Sequence, residues 1–332
     1  MRSVTVVGAG SWGTALAVHL ARVGHQVQLW ARDAELVTEM NARRANAVYL
    51  PDIGFPETLA ATADLPAALG GAQFVVVAVP SHGLRQVLRQ GAAHVDPAAV
   101  VLSATKGLED GTLLRMSQVI RAEWSHVAEV ATLSGPSFAR ELARSLPTAV
   151  VVASASEGAV RHVQEEFRSG ALRLYASSDV IGVELGGALK NVIAIAAGVV
   201  EGLGLGHNAL AALITRGLAE ISRLAVAAGG ERETLAGLAG MGDLVLTCTG
   251  QLSRNRHVGL ELAQGRTLPD IVAGMKMVAE GVKTTHAALA FGARLGVELP
   301  ITAQVDALLA GRVAPAAAVA DLMGRRQRAE TD

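Results

Sequence analysis

The chain opens with a β-branched run, Ser3-Val4-Thr5-Val6-Val7, that leads straight into Gly8-Ala9-Gly10-Ser11-Trp12-Gly13. A helical pattern from Thr14 to Val23 and a second β-branched run, Val27–Trp30, follow. No other stretch constrains the fold as much. In a strand–turn–helix unit of this kind the first glycine permits the tight turn and the second lets backbone approach a pyrophosphate. The third allows the helix to pack closely on the strand, with the phosphates at the positive helix N-terminus. A bare G-x-G-x-x-G is weak, but strand, turn, helix and strand in this order make it specific. Gly8, Gly10 and Gly13 therefore predict a dinucleotide-binding α/β domain.

The first half continues the rhythm. Candidate strands are Val4–Val7, Val27–Trp30, Phe74–Val79, Val100–Ser103, Val130–Leu133 and Ala149–Ala153. Helical patterns lie between them at Thr14–Val23, Leu84–Gln90, Leu113–Glu123 and Ala159–Phe167. Alternation of this kind predicts a Rossmann-type, doubly wound parallel sheet covered on both faces. Small and polar residues cluster at the carboxyl ends of the strands, where ligands bind in such sheets: Pro80-Ser81, Ser103-Ala104-Thr105 and Ser134-Gly135-Pro136-Ser137. Beyond Ser178 strand-like runs mostly disappear and Ala/Leu/Gly-rich helical patterns take over. The expected organisation is a dinucleotide domain over 1–180, an all-helical substrate domain over 181–325 and a charged tail over 326–332.

An acidic residue usually ends the second strand and holds the ribose 2′-hydroxyl, but this chain reads Trp30-Ala31-Arg32-Asp33. Arg32 suits the 2′-phosphate of NADP, and Asp33 suits the cap of the next helix. The cofactor expectation is NADP, with NAD use open.

Composition narrows the partners. A formal net charge of −1 favours neither nucleic acid nor an anionic membrane. Cys248 is the only cysteine, so no internal disulfide forms, which fits a reducing compartment. The N-terminus shows no cleavable apolar leader, and no apolar run is read as long enough to span a bilayer. The greasy stretch Val192–Val200 is flanked by Lys190-Asn191 and Glu201. The expected location is the cytoplasm. Close-packing Ala/Gly-rich helices leave a homodimer open. No His, Cys and Asp grouping has metal-ligand spacing, so no metal is expected.

Reducing a ketone by hydride needs a proton donor beside the carbonyl, where an alkoxide develops. Lys106 follows the strand Val100–Ser103 and falls on the ligand edge. Lys190 sits in Ala188-Leu189-Lys190-Asn191-Val192, whose apolar neighbours imply burial and a lowered pKa. Asp243, in Gly240-Met241-Gly242-Asp243-Leu244, needs a cationic partner if buried, and Lys190 is the natural one. Thr247, four residues on, joins that network if the segment is helical. Ser253-Arg254-Asn255 reads equally as a phosphate clamp or as a helix cap with Arg254 in water. Cys248 reads as a buried, inert thiol.

These blocks, with Ala104-Thr105-Lys106-Gly107, Ser134-Gly135-Pro136-Ser137-Phe138-Ala139, Leu213-Ile214-Thr215-Arg216-Gly217-Leu218 and Glu280-Gly281-Val282, stand in order along nearly the whole chain. In that set and order the chain resembles the bacterial NAD(P)-dependent glycerol-3-phosphate dehydrogenases. The resemblance implies reduction of dihydroxyacetone phosphate to sn-glycerol 3-phosphate, reversibly, for glycerophospholipid synthesis. It implies Lys190 as proton donor and acceptor. Lys106, Gly135, Ser137, Lys190, Asp243, Ser253, Arg254 and Asn255 would contact substrate. Ser11, Trp12, Arg32, Tyr49, Lys106, Ala139, Arg254, Val278 and Glu280 would join the three glycines around the cofactor. Two alternatives stay open on the residues: a related dehydrogenase acting on a β-hydroxyacid or hexose-phosphate acid, and a non-catalytic nucleotide sensor.

Overall fold

The computed structural model describes residues 1–275, 277–326 and 329. Lys276 and, from the expected tail, Gln327, Arg328, Glu330, Thr331 and Asp332 lie outside the described residues.

Eight strands form one sheet in the order β3-β2-β1-β4-β5-β6-β7-β8. They are β1 (Ser3–Val7), β2 (Gln26–Trp30), β3 (Leu59–Thr62), β4 (Phe74–Val77), β5 (Val100–Ser103), β6 (Glu129–Ser134), β7 (Thr148–Ala153) and β8 (Leu172–Ser177). Around it lie α1 (Ser11–Arg22), α2 (Ala34–Arg43), α3 (Leu65–Leu69), α4 (Leu84–Gly91), α5 (Met116–Glu123), α6 (Ala139–Ala143) and α7 (Glu157–Phe167). The inner strands read as continuous apolar runs because both faces are covered. Alternate residues feed separate cores: Val4, Val6 and Val76 enter one cluster, Val7, Val75 and Val77 the other. Strand order reverses between β1 and β4, which makes the space beyond their carboxyl ends the ligand crevice.

Two strands escaped the sequence reading, and both are sheet edges. β3 (Leu-Ala-Ala-Thr) carries one β-branched residue and is held by its pairing with β2. In β8 Leu172 and Leu174 are buried while Arg173 and Tyr175 are exposed, an alternation legible in principle. The sheet is not wholly parallel, since β6 and β7 run antiparallel.

After Ser177 the chain is helical: α8 (Val180–Gly202), α9 (Gly206–Ala227), α10 (Arg232–Ala236), α11 (Asp243–Thr249), α12 (Arg254–Ala263), α13 (Leu268–Ala273), α14 (Glu280–Leu295), α15 (Pro300–Leu309) and α16 (Pro315–Met323). Asp179 starts α8 by accepting the Gly182 N–H at 2.8 Å. One expectation fails here. The 23-residue α8 is long and apolar enough to cross a bilayer by length and composition. Its composition instead reflects burial in protein, because α9, α11, α12 and α14 pack around it. α12 comes closest: a Cβ on Gly198 would lie 1.9 Å from the Arg256 carbonyl oxygen, and one on Gly259 1.9 Å from that of Ile195.

Candidate active site

Lys106 leaves the end of β5 on a loop that turns back at Gly107, whose φ of +143° suits glycine alone. Asp243 is the first residue of α11 and follows a wide π turn over Leu238–Gly242, closed by the Gly242 N–H on the Gly237 carbonyl at 3.0 Å. Lys190 projects from the middle of α8. The three side chains meet. Asp243 is fully buried and accepts from Lys106 Nζ at 2.6 Å through Oδ2 and from Lys190 Nζ at 2.5 Å through Oδ1. Lys190 Nζ also donates to Thr247 Oγ1 at 2.7 Å, and Thr247 donates to the Asp243 carbonyl oxygen at 2.6 Å. The segment from Asp243 to Thr247 is helical, which places the hydroxyl as its spacing implied.

Lys106 Nζ donates further to the Gly135 carbonyl oxygen at 3.3 Å, which also accepts from Ser137 Oγ at 2.9 Å. Two ammonium groups on one carboxylate leave the cluster with a net positive charge, suited to an anionic ligand. Burial pulls the Lys190 ammonium down to about 8; Asp243 opposes that shift and Lys106 adds to it. A lysine so placed gives and takes protons near neutrality. Beside it, burial pushes the Cys248 thiol up to about 12, the condition of an inert sulfur.

The glycine turn has the shape its pattern implied. Gly8 adopts φ +116°, and a Cβ on Gly13 would lie 1.9 Å from the Gly8 carbonyl oxygen. Around a Cβ on Gly10 no described residue comes within 4 Å, so that side of the turn is open among the described residues. α1 has no side-chain cap, and its first internal hydrogen bond is from Thr14 N–H to the Gly10 carbonyl at 2.9 Å. The N–H groups of Ser11, Trp12 and Gly13 are thus left for a ligand. Trp12 Nε1 is buried without a partner among the described residues. Ser11 Oγ donates to the Tyr49 carbonyl oxygen at 2.6 Å, which brings Tyr49 against the turn. Arg32 is exposed beyond β2, whereas Asp33 caps α2 through the N–H groups of Glu35 and Leu36 at 2.9 and 3.2 Å.

Across the cleft, Glu280 begins α14 and accepts from Ser81 Oγ, beyond β4, at 2.7 Å. Burial raises the Glu280 carboxyl above its usual range. Ser253 caps α12 through the Arg256 N–H at 3.3 Å, and the exposed Arg254 side chain makes no hydrogen bond among the described residues. Asn255 donates to Asn191 Oδ1 and accepts the Gly281 N–H, each at 2.9 Å, joining α8, α12 and α14 next to Lys190 and Glu280. Ala139 is the first residue of α6, and Val278 lies exposed just before α14. A cavity of about 770 Å³, lined among others by Leu213, Val297, Ile301 and Leu322, holds none of these residues.

Two family models cover the chain. The N-terminal region of NAD-dependent glycerol-3-phosphate dehydrogenase matches residues 3–160 and its C-terminal region residues 179–320. The chain belongs to the NAD-dependent glycerol-3-phosphate dehydrogenase family. A glycerol-3-phosphate dehydrogenase [NAD(P)+] of Koribacter versatilis is 52% identical over 99% of both chains. One of Acidobacterium capsulatum is 53% identical over 99% of this chain and 100% of its own. Among solved structures, a glycerol-3-phosphate dehydrogenase of Coxiella burnetii superposes with a TM-score of 0.94 at 42% identity, covering 98% of this chain and 99% of that one. A ketopantoate reductase of Ralstonia eutropha, at 18% identity and a TM-score of 0.60, shares the fold alone.

Several polar residues near the candidate site, or their partners, carry no legible signal in the sequence. Asn46, fully buried behind the glycine turn, had no local signal: its neighbours in Ala45-Asn46-Ala47 form no motif. Ser81 stood in a marked strand-end cluster, but its partner Glu280 lies 199 residues away. Thr284, buried without a partner among the described residues, lies one helical turn beyond Glu280.

Proposed function

We propose that this chain interconverts dihydroxyacetone phosphate and sn-glycerol 3-phosphate with NAD(P)H, as a supplier of the glycerophospholipid backbone. The observation that carries the reading is the Lys106–Asp243–Lys190 cluster on the ligand edge of the sheet. The residues of the turn fit a dinucleotide: free N–H groups at the α1 N-terminus, an open flank at Gly10 and no competing side-chain cap. Gly8, Gly10, Ser11, Trp12 and Gly13 are assigned to it, with Tyr49, Ala139, Val278 and Glu280 lining the remainder. Bound NAD(P)H supplies the hydride that the C2 carbonyl carbon receives.

As negative charge develops on the carbonyl oxygen, Lys190 gives it a proton and is left as the neutral amine. Asp243 and Thr247 hold Nζ in place before and after the transfer. Lys106 keeps its charge beside the oxygen and stabilises it, and Gly135 and Ser137 border the same space. In the reverse direction neutral Lys190 takes the hydroxyl proton. Ser253, Arg254 and Asn255 stand at the clamp for the phosphate, where a guanidinium with no hydrogen-bond partner among the described residues meets an anion best. Arg254 also feels the charge of Glu280 on the cofactor side.

The cofactor preference is NADP. Asp33 is committed to capping α2, and Arg32 offers an exposed cation at the place where a 2′-phosphate would sit. The sheet half, 1–180, carries most of the cofactor site, with Val278 and Glu280 added from the helical half, 181–325; the helical half carries most of the substrate site, with Lys106, Gly135 and Ser137 added from the sheet half. The chain is assigned to the cytoplasm. A homodimer is assigned to the helical half, where α9 leaves Ala211 and Ala212 exposed.

The test is oxidation of NADPH and NADH with dihydroxyacetone phosphate, in the natural chain and in Lys190→Ala. The natural chain turns over, faster with NADPH. The variant loses at least about a hundredfold in kcat, the worth of a general acid. A variant with kcat intact removes Lys190 from the reaction, and a natural chain inactive with both cofactors removes the reaction itself.

A further inference from the structure

Asn46 lies in the segment after α2 and is fully buried. Its Nδ2 donates to the Ala9 carbonyl oxygen and to Thr14 Oγ1, both at 2.9 Å. Its Oδ1 accepts the Tyr49 N–H at 3.2 Å. The orientation of the amide is forced, because a carbonyl only accepts and an N–H only donates. Ser11 Oγ closes the circle by donating to the Tyr49 carbonyl oxygen.

The consequence lies in the peptide between Ala9 and Gly10. That unit is planar and trans, so its C=O and its N–H point in opposite directions. Fixing the Ala9 oxygen on the buried Asn46 amide turns the Gly10 N–H the other way, away from that amide, and no described residue stands where a Gly10 Cβ would lie. Gly10 can adopt many backbone conformations, and the Ala9 oxygen is otherwise held by the longer hydrogen bond from Thr14 Oγ1 at 3.3 Å, a hydroxyl that Asn46 Nδ2 itself contacts, so this peptide gains from the Asn46 hold. The same amide fixes Tyr49, so two parts of the cofactor site move as one body.

We infer that Asn46 is a positioning residue for the dinucleotide: it aims the Gly10 N–H at the pyrophosphate and ties the Tyr49 segment to the glycine turn. It touches neither substrate nor reacting atoms. The inference rests on the proposed NAD(P)H site and specifies which buried group preorganises it.

The experiment compares the natural chain with Asn46→Ala and Asn46→Asp. NADPH binding is titrated directly, and kcat and both KM values are measured by NADPH oxidation with dihydroxyacetone phosphate. The aspartate keeps the acceptor for Tyr49 N–H and loses the donor to Ala9; the alanine loses the same donor without adding a charge, so the pair separates the lost hydrogen bond from a buried charge that salt does not screen. Both variants should bind NADPH about tenfold more weakly, the worth of one good hydrogen bond. KM for NADPH rises in step, while KM for dihydroxyacetone phosphate and kcat at saturating NADPH stay within about twofold. A merely structural loss would move both KM values and kcat together, and that result overturns the inference. So does an Asn46→Asp chain that binds NADPH like the natural one. If the natural chain itself binds neither NADPH nor NADH, it is the cofactor site that fails.

Discussion

Lys190 is where a single residue's environment can be read as a rate. Burial lowers its pKa to about 8, and the neighbouring Lys106 charge contributes to that lowering. With Lys190 as the proposed proton donor, reduction of the ketone uses the protonated form, so kcat/KM in that direction falls as pH rises through about 8; the reverse reaction uses the neutral amine and rises there. Replacing Lys106 by Met removes a like charge and leaves Asp243 to Lys190 alone. Both changes favour the ammonium, so the break in the kcat/KM–pH profile moves to higher pH, even though the variant turns over more slowly. A profile whose break stays in place, or moves to lower pH, would show that the titrating group is not Lys190. Much of this cluster was legible beforehand: a lysine among Ala, Leu and Val residues and an aspartate between glycine and leucine both demand polar partners when buried. Asn46 was not legible, because its partners at Ala9 and Thr14 come together only through the fold.

At the scale of elements, some helix ends are capped by the local sequence and others from elsewhere in the chain. Asp33, Asp64, Ser156, Asp179, Ser253 and Thr267 each accept a backbone N–H of the helix that follows, as their residue types foretell. α15 begins instead after Leu299, which has no side-chain oxygen. Its cap comes from Glu220 on α9, whose buried carboxylate accepts the N–H groups of Ile301 and Thr302 at 2.8 and 2.9 Å and the Thr302 hydroxyl at 2.6 Å. Glu184 on α8 does the same for α5 through Ser117 N–H at 2.7 Å. A sequence shows neither arrangement, since donor and acceptor are 81 and 67 residues apart. Glu220→Ala strips several buried donors at once and should cost roughly 2–4 kcal/mol, lowering Tm by several degrees. Its hydrogen bonds do not reach the Asp243 cluster, so kcat of the folded variant should stay as in the natural chain. A Tm shift within about a degree would mean that water replaces the carboxylate at no cost.

The two halves of the molecule share more than a covalent link. Leu108, on the loop after Lys106, is buried in a cluster whose other fully buried members come from residues 185–301, and Leu113 packs on the same cluster. Glu184 ties α8 to Arg115 and Ser117 of the sheet half, and Glu280 reaches back to Ser81. These contacts flank the Lys106–Asp243 and Ser81–Glu280 pairs of the candidate site, so the proposed cleft and the domain junction are one structure. Inter-domain contacts are commonly weak and polar, and domains then unfold separately; a buried leucine beside buried ion pairs argues for coupling here. The chain has three tryptophans, Trp12, Trp30 and Trp124, all in the sheet half, so their fluorescence reports on that half alone. Far-UV circular dichroism near the helical minimum is weighted toward the helical half. The two signals should therefore melt together. Leu108→Ala removes about 2–4 kcal/mol of packing and should lower both midpoints by the same amount. Separate midpoints in the natural chain, or a Leu108→Ala chain in which only the helical signal shifts, would show that the halves fold independently and that the cleft is assembled only by its ligands.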